Sequence, residues 1–181
     1  MRIRIIIPSR LHPDYINAEM CDLLRRELPA CGEAEIVDLS PDIVHIFGIW
    51  NSSFAKRVEA YRNIGVPVVF TSLDGILSLK KSSGGNTHSI TPTAAVRRVA
   101  KSGAIIHVCG KFERSTIIEV AKYADVRIIS NASHTATTDT ATMTAQTIDL
   151  YRETIDTADR LTREKINKKL DKIDITDHTI R

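Results

Sequence analysis

Six short runs rich in isoleucine and valine recur along the chain, and they constrain its fold more than any other feature. Each has the length and composition of a buried strand. The runs are RIIIP from Arg4, EIVDL from Glu35, DIVHIFG from Asp42, VPVVFTS from Val66, AIIHVCG from Ala104 and VRIIS from Val126. Because the runs are apolar throughout and do not alternate with polar residues, they indicate strands of a parallel sheet covered on both faces.

Segments with helical spacing separate most of these runs. The helical segments cover residues 13–28, 51–64, 92–101 and 111–124. Asn51 and Thr91 are good N-cap residues, and Pro13 and Pro92 suit the first turn of a helix. Strands that alternate with crossover-length helices predict an α/β domain: a doubly wound, Rossmann-like parallel sheet of about six strands formed by residues 1–134.

The chain changes character after residue 134. Residues 135–142, TATTDTAT, are low in complexity and predict a linker. From residue 143 to 173 apolar residues recur at intervals of mostly three or four, with arginine and lysine between them, which predicts a long C-terminal amphipathic helix. A short tail follows at 174–181.

This predicted helix is longer than a sheet domain of this size is wide, at about 1.5 Å per residue. We therefore expect part of it to project or to meet a partner. Packing on its own domain or on a second copy is favoured, which makes a homo-oligomer through this helix a candidate assembly. The helix lacks Trp and Phe, so at most peripheral contact with a membrane is expected.

Composition excludes several classes of protein. The formal net charge is only +3 over 181 residues, and basic residues do not alternate with aromatic ones, so no nucleic-acid partner is predicted. No stretch approaches the ~18 apolar residues of a membrane span. The isoleucines after MRIR are too few for a signal peptide, so a cytoplasmic protein is expected. The three cysteines lack CxxC spacing and predict no disulfide framework.

Motifs for cofactors and metals are missing. The turn after the first strand contains no glycine and no dinucleotide fingerprint, and SSGGN at residues 82–86 lacks the lysine of a phosphate-binding loop, so no cofactor is predicted. The six histidines never fall at i, i+4 on a helix or beside paired carboxylates, so no metal site is predicted. His45 and His107 lie within strands and are interpreted as hydrogen-bonded core residues.

The loops after the strands are the place to search for a binding site, because doubly wound sheets bind ligands at the carboxyl ends of their strands. The candidate binding residues in these loops are Arg10, Gly48, Trp50, Asn51, Ser72, Asp74, Gly110, Lys111, Glu113 and Asn131. Glu113 follows Gly110 by three residues, which resembles a capping box with glycine at the cap position. No residue is assigned a catalytic role.

Four segments carry a resemblance to a known family. PDIVHIFGIW resembles a strand and turn written P-D-[IV]-[IV]-H-x-[HF]-G, and RNIGVPVVFTSLDGI resembles G-[IV]-P-[VI]-V running into T-x-H-[DG]. GAIIHVCGKFERSTI and VRIISNASH resemble the two following strands, A-D-x-[IV]-x-V-S-E-x-E-R and V-x-V-I-P-N-G-V-D. In this order and near this spacing, the segments are similar to the N-terminal domain of family 4 glycosyltransferases of the GT-B fold.

The resemblance implies a Rossmann-like half that binds a sugar acceptor and faces a second half that binds a nucleotide-sugar donor. The family's turns after the third and fourth strands line the cleft between the halves. Here these turns hold Gly48 to Trp50 and Thr71 to Asp74. Asp74 is the best candidate for a polar contact to a sugar hydroxyl.

Two departures from the family pattern shape the functional hypothesis. Leu73 stands where the family has a histidine that contacts the donor sugar, and leucine cannot hydrogen-bond a hydroxyl. The chain is also too short for a donor half, although TMTAQTIDLYRETI resembles the last helix of a GT-B enzyme. The sequence therefore predicts the acceptor-side half of a glycosyltransferase-like protein. Such a half would need a donor-domain polypeptide as partner or would lack catalysis alone.

Two alternatives remain open. The chain is either a non-catalytic binding, regulatory or self-associating protein, or a small independent α/β enzyme that acts on a nucleotide or phosphate. In the second case Arg10, Lys111 and helix N-termini would hold the anion.

Overall fold

The structure is a computed structural model of the 181-residue chain, and it describes residues 1–8, 17–75, 92–130 and 139–177. Side chains of the last helix are described through Glu164, apart from Arg163. The predicted first-turn residue Pro13 and the predicted cap Thr91 lie outside the described residues.

Six parallel strands form one sheet in the order β2-β1-β3-β4-β5-β6. The strands are β1 Arg2–Ile6, β2 Glu35–Ile36, β3 Ile43–Gly48, β4 Val68–Ser72, β5 Ile105–Val108 and β6 Val126–Ile128. Each strand overlaps one of the six apolar runs, so the predicted α/β parallel sheet is confirmed. The strand order reverses between β1 and β3, which is the topological switch point of such a sheet.

Five helices within the described residues cover both faces of the sheet. They are α1 Ala18–Ala30, α2 Ser52–Asn63, α3 Pro92–Lys101, α4 Lys111–Val120 and α5 Thr140–Asp177. Helices α2, α3 and α4 bury one face in a core that includes Val58, Val96 and Ile117. Helices α1 and α5 bury the other face around Leu24 and Tyr151. The two-sided burial explains why the strands are continuously apolar.

The helix boundaries follow local chemistry where the sequence predicted them. Asn51 is the N-cap of α2, since its side chain accepts a hydrogen bond from the Phe54 N–H at 3.0 Å. Helix α3 begins at Pro92, as its fixed φ favours. Helix α4 ends at Val120, four residues before its predicted end, because the chain turns away at Ala121 to enter β6.

The last helix is longer than predicted at both ends. It begins at Thr140, inside the segment predicted to be a linker, because the Asp139 side chain accepts a hydrogen bond from the Thr142 N–H at 2.6 Å. This bond and others from the helix start lower the pKa of Asp139. The helix then continues to Asp177 over 38 residues, or about 57 Å. Among the α5 side chains that the structure describes, which run through Glu164 apart from Arg163, the last buried one is Thr154.

Candidate functional site

The ten candidate binding residues divide into three groups in the structure. Arg10 and Asn131 lie outside the described residues. Gly48, Trp50, Asn51 and Ser72 serve the internal structure of the fold. The residues that lie at the accessible carboxyl edge of the sheet are Asp74, Gly110, Lys111 and Glu113.

Trp50, which the sequence predicts to line the cleft, lies in the core of the structure. Its side chain is 3% exposed and packs on Phe70 with ring centroids 4.7 Å apart. The indole N–H donates a hydrogen bond to the Gly75 carbonyl at 3.1 Å. Trp50 therefore ties the turn after β3 to the turn after β4 and leaves no ring face for a sugar to stack on.

Gly48, which the sequence also predicts to line the cleft, is needed for packing in the structure. A Cβ at this position would lie 2.5 Å from the Phe54 ring, well inside van der Waals contact. A glycine here lets the first turn of α2 pack directly on the end of β3. A Cβ at Gly110, by contrast, meets no atom within 4 Å.

Gly48→Ala is expected to lower the free energy of unfolding by about 2–3 kcal/mol, because the added methyl group overpacks against the Phe54 ring. Gly110→Ser is the control, since it adds a Cβ in open space at an N-cap that accepts serine. Urea denaturation of both variants measures the difference. Equal stability of the two variants would contradict the packing role of Gly48.

Ser72 is also internal, with 1% of its surface exposed. Its hydroxyl donates a hydrogen bond to the Asp74 carboxylate at 2.7 Å, and its carbonyl accepts one from the Asn17 side chain at 2.6 Å. The predicted binding residue Ser72 is therefore a support for Asp74, because its own hydroxyl is buried and already used.

Five residues from four segments are linked in a row by hydrogen bonds at the ends of β4 and β5, and we name them the carboxyl-edge cluster. Its members are Asn17, Ser72, Asp74, Cys109 and Glu113. The Asn17 side-chain oxygen accepts a hydrogen bond from the Cys109 thiol at 3.1 Å, and the Glu113 carboxylate accepts one from the Cys109 backbone N–H at 3.0 Å. Asp74 belongs to the cluster through its hydrogen bond from Ser72, and its negative charge raises the pKa of Glu113. The cluster fixes two carboxyl groups at the edge of the sheet.

The surroundings of Glu113 in the cluster raise its pKa. Burial is the main cause that raises the pKa of Glu113, and the negative charge of Asp74 raises it further, while the hydrogen bond from the Cys109 N–H lowers it. Asp74 is half-buried and keeps one face at the surface. Carboxylate oxygens at this edge can accept hydrogen bonds from the hydroxyl groups of a ligand.

Glu113 lies at the first turn of α4, as the capping-box pattern predicted, but it accepts from a different donor. The expected donor was the N–H of the N-cap residue Gly110, and the observed donor is the N–H of Cys109, one residue earlier. Lys111 is exposed beside it at the start of the helix. The carboxylate therefore occupies the positive end of the α4 dipole, where an anionic ligand would otherwise bind.

Sequence reasoning missed Asn17 and Cys109 as members of the site. Asn17 stands where an N-cap would, just before α1, but its side chain makes no cap hydrogen bond and reaches β4 instead. Cys109 ends the apolar run of β5 and has the appearance of a core thiol. An asparagine before a helix is the one sequence signal that pointed to this place, and it indicates a cap, not a site.

A second polar cluster lies inside the sheet and links β3, β4, β5 and α5. His45 contacts the Tyr151 hydroxyl at 2.5 Å through Nδ1 and the Thr71 hydroxyl at 2.7 Å through Nε2. The Thr71 hydroxyl also contacts His107 Nδ1 at 2.8 Å, and His107 Nε2 lies 3.1 Å from the Ile129 carbonyl. We name this set the buried histidine chain. The prediction that His45 and His107 are hydrogen-bonded core residues is confirmed.

One assignment of protons satisfies every member of the buried histidine chain. A carbonyl only accepts, so His107 donates from Nε2 to Ile129, and as a neutral ring it accepts from the Thr71 hydroxyl through Nδ1. Thr71 then accepts from His45 Nε2, and His45 Nδ1 accepts from the Tyr151 hydroxyl. All the hydrogen bonds then run in the same direction along the buried histidine chain, and neither imidazole ring needs a charge.

Burial keeps both rings in this neutral form. Desolvation lowers the pKa of His45 well below its usual range, with a further contribution from His107. Desolvation likewise lowers the pKa of His107, to about 4, against a smaller rise from its bond to the Ile129 carbonyl. Burial also raises the pKa of the Tyr151 hydroxyl, so it remains a donor. The buried histidine chain is therefore a structural link between the sheet and α5.

Comparison with known proteins finds no matching protein family, no matching curated protein and no matching solved structure. The resemblance to family 4 glycosyltransferases thus rests on the sequence segments alone. Within the described residues, no helix combines the length and hydropathy needed to cross a membrane. In the same part of the chain, no three side chains of His, Cys, Asp or Glu are grouped so that they could hold a metal ion.

Proposed function

We propose that the chain is the acceptor-side half of a glycosyltransferase-like protein and binds a neutral, hydroxyl-rich sugar at the carboxyl-edge cluster. The observation that carries the proposal is the presence of two carboxyl groups where β4 and α4 meet the edge of the sheet. Asp74 is positioned by the Ser72 hydroxyl, and Glu113 is positioned by the Cys109 N–H. Asp74 is also the best candidate from the sequence for a polar contact to a sugar hydroxyl.

The charges of the cluster support a neutral ligand over a phosphate. Two carboxyl groups stand at the edge, and the positive end of α4 is already filled by Glu113. A phosphate would meet the negative charge of Asp74 at close range, and Lys111 is the basic side chain that the described part of this edge offers against it. A sugar hydroxyl meets no such repulsion, and it can donate a hydrogen bond to the Asp74 carboxylate.

The same proposal assigns any transfer reaction to a complex. Leu73 replaces the family's donor-contacting histidine, and it is fully buried, with its backbone N–H donating to the Gly48 carbonyl at 2.7 Å. It therefore presents no polar group to a donor sugar. A separate donor-domain polypeptide facing the carboxyl edge would complete the cleft.

The test is a binding titration of the purified chain with a panel of neutral mono- and disaccharides, with inorganic phosphate and a nucleotide as comparison ligands. Isothermal calorimetry or NMR shifts should detect at least one sugar and neither anion. We expect Asp74→Asn combined with Glu113→Gln to weaken sugar binding by about tenfold or more, because hydrogen bonds to charged groups are lost. The amide oxygen introduced by Glu113→Gln would still accept from the Cys109 N–H, so the fold is kept.

Glu119→Gln is the matched control, since Glu119 is an exposed carboxylate on the same helix outside the cluster. Its sugar affinity should equal that of the unaltered chain. Binding of phosphate in preference to any sugar would overturn the proposed ligand and favour the small phosphate-acting enzyme. Transfer from a nucleotide sugar by the purified chain alone would overturn its role as one half of a complex.

A second candidate function is non-catalytic self-association or regulation, and the long last helix favours it. Helix α5 runs for 38 residues, and within its described side chains Leu161 is a large hydrophobic residue that is 43% exposed. Both functions can coexist, because the projecting helix and the carboxyl-edge cluster use different parts of the molecule.

A further inference from the structure

A groove runs along α5 toward the amino ends of β1 and β3. It consists of two cavities of about 490 and 500 Å³ that meet at Arg152. Apolar residues of α5 form its floor, among them Ala145 and Ile148 in the first cavity and Ile155 in the second. Its length from Ala141 to Asp159 is about 27 Å of helix. A second helix fits a groove of this shape and length.

The rim of the groove is strongly acidic. The carboxylates that line it are Glu27, Glu33, Asp42, Asp149, Asp156 and Asp159. Arg152 is the one basic side chain among the described lining residues, and it is already paired with Glu33 and Asp149. Asp156 and Asp159 are exposed. An apolar floor with an acidic rim selects a basic amphipathic helix as its occupant.

The chain itself contains a segment with this chemistry. Between residues 163 and 172 the sequence has five basic and two acidic residues, together with Ile166 and Leu170. This segment belongs to the same uninterrupted helix as the groove, so it continues away from the groove and cannot fold back onto it. A second copy of the chain can deliver it.

We infer that two copies of this chain pair through α5 in antiparallel orientation, with the basic segment 163–172 of each copy along the Arg152–Asp159 part of the acidic groove of the other. Such an interface is isologous, so both contacts form at once. Its two-fold axis passes near Leu161, which lies between the groove and the basic segment. Leu161 is 43% exposed in one copy and would be covered by its own counterpart.

The inference is tested on the full chain by sedimentation velocity or by light scattering coupled to size-exclusion chromatography. The unaltered chain should form a dimer whose dissociation constant rises with salt concentration. Asp156→Lys with Asp159→Lys, and separately Lys168→Glu with Lys169→Glu, should each weaken the dimer by about tenfold or more, because each gives like charges across both contacts. An equimolar mixture of the two variants should restore a heterodimer with attractive contacts.

Glu119→Lys is the control, since it reverses an exposed charge on α4 at the opposite face of the sheet. It should leave the dimer unchanged, and circular dichroism checks that every variant keeps its helix content. A monomeric unaltered chain, a dimer insensitive to either reversal, or a mixture that does not associate would each overturn the inference. Asp74→Asn with Glu113→Gln should still dimerise, so failure of sugar binding and failure of pairing are separate results.

Discussion

Replacing Thr71 by valine is expected to lower the free energy of unfolding by about 2–5 kcal/mol, although the two side chains have nearly the same volume. The Thr71 hydroxyl accepts from His45 Nε2 and donates to His107 Nδ1, at 2.7 and 2.8 Å. Valine would leave one donor and one acceptor without partners in a region that is fully buried. Each unsatisfied buried group costs roughly 1–3 kcal/mol.

Thr147→Val is the matched control for this change. Thr147 is as buried as Thr71, but its hydroxyl bonds only to the Met143 carbonyl of its own helix at 2.8 Å. That carbonyl sits within the backbone ladder of α5, so we expect a loss below about 1 kcal/mol. Urea denaturation of both variants gives the comparison. If Thr71→Val and Thr147→Val lose the same stability, the buried histidine chain does not stabilise the fold as described.

Acidification from pH 7 to about pH 4.5 is expected to destabilise the protein steeply, because both histidines of the buried chain must stay neutral. Their folded-state pKa values lie below the unfolded value near 6.5, with that of His107 at about 4. Above pH 6.5 both histidines are neutral in the folded and the unfolded state, so their full contribution to stability is present. As pH falls below 6.5, the two histidines bind protons in the unfolded state but not in the folded state. Stability is therefore lost until the pH reaches their folded-state pKa values.

The expected slope approaches about 2.7 kcal/mol per pH unit, which is about 1.4 kcal/mol for each of two histidines. Glu113 opposes this slope in part, because its pKa is raised in the folded state and the folded protein gains its proton first. Asp139 acts only at lower pH, since its folded pKa is below its ordinary value. Urea denaturation at pH 7, 6, 5.5 and 5 measures the slope.

Histidine ¹⁵N NMR provides the direct check. In the folded protein at pH 5, the rings of His45 and His107 should still be neutral and carry their proton on Nε2, while in urea every histidine should titrate near pH 6.5. A folded state in which both rings titrate near 6.5 would contradict the proton assignment along the buried histidine chain.

The carboxyl-edge cluster was only partly predictable from the sequence. Asp74 and Glu113 were identified because they follow predicted strands at the edge where ligands bind. Their partners were not, because the Asn17–Cys109 contact joins residues 92 positions apart and carries no local signal. Trp50 and Gly48 were assigned to the cleft from the family pattern. In the structure Trp50 packs against Phe70 of β4, and Gly48 packs against Phe54 of α2.

The sequence by itself determined the sheet, because apolar runs of strand length separated by helical segments can bury their surface in few other ways. It also determined the starts of α2 and α3, since caps and prolines act within a few residues. Only the tertiary structure decided what the polar residues do. His45 forms a hydrogen bond with Tyr151, which lies 106 residues away in the chain. The charge of Asp74 acts on Glu113 only because β4 and β5 pair. Hydrogen bonds and charges act over a few ångströms in space, and distance along the chain does not report that separation.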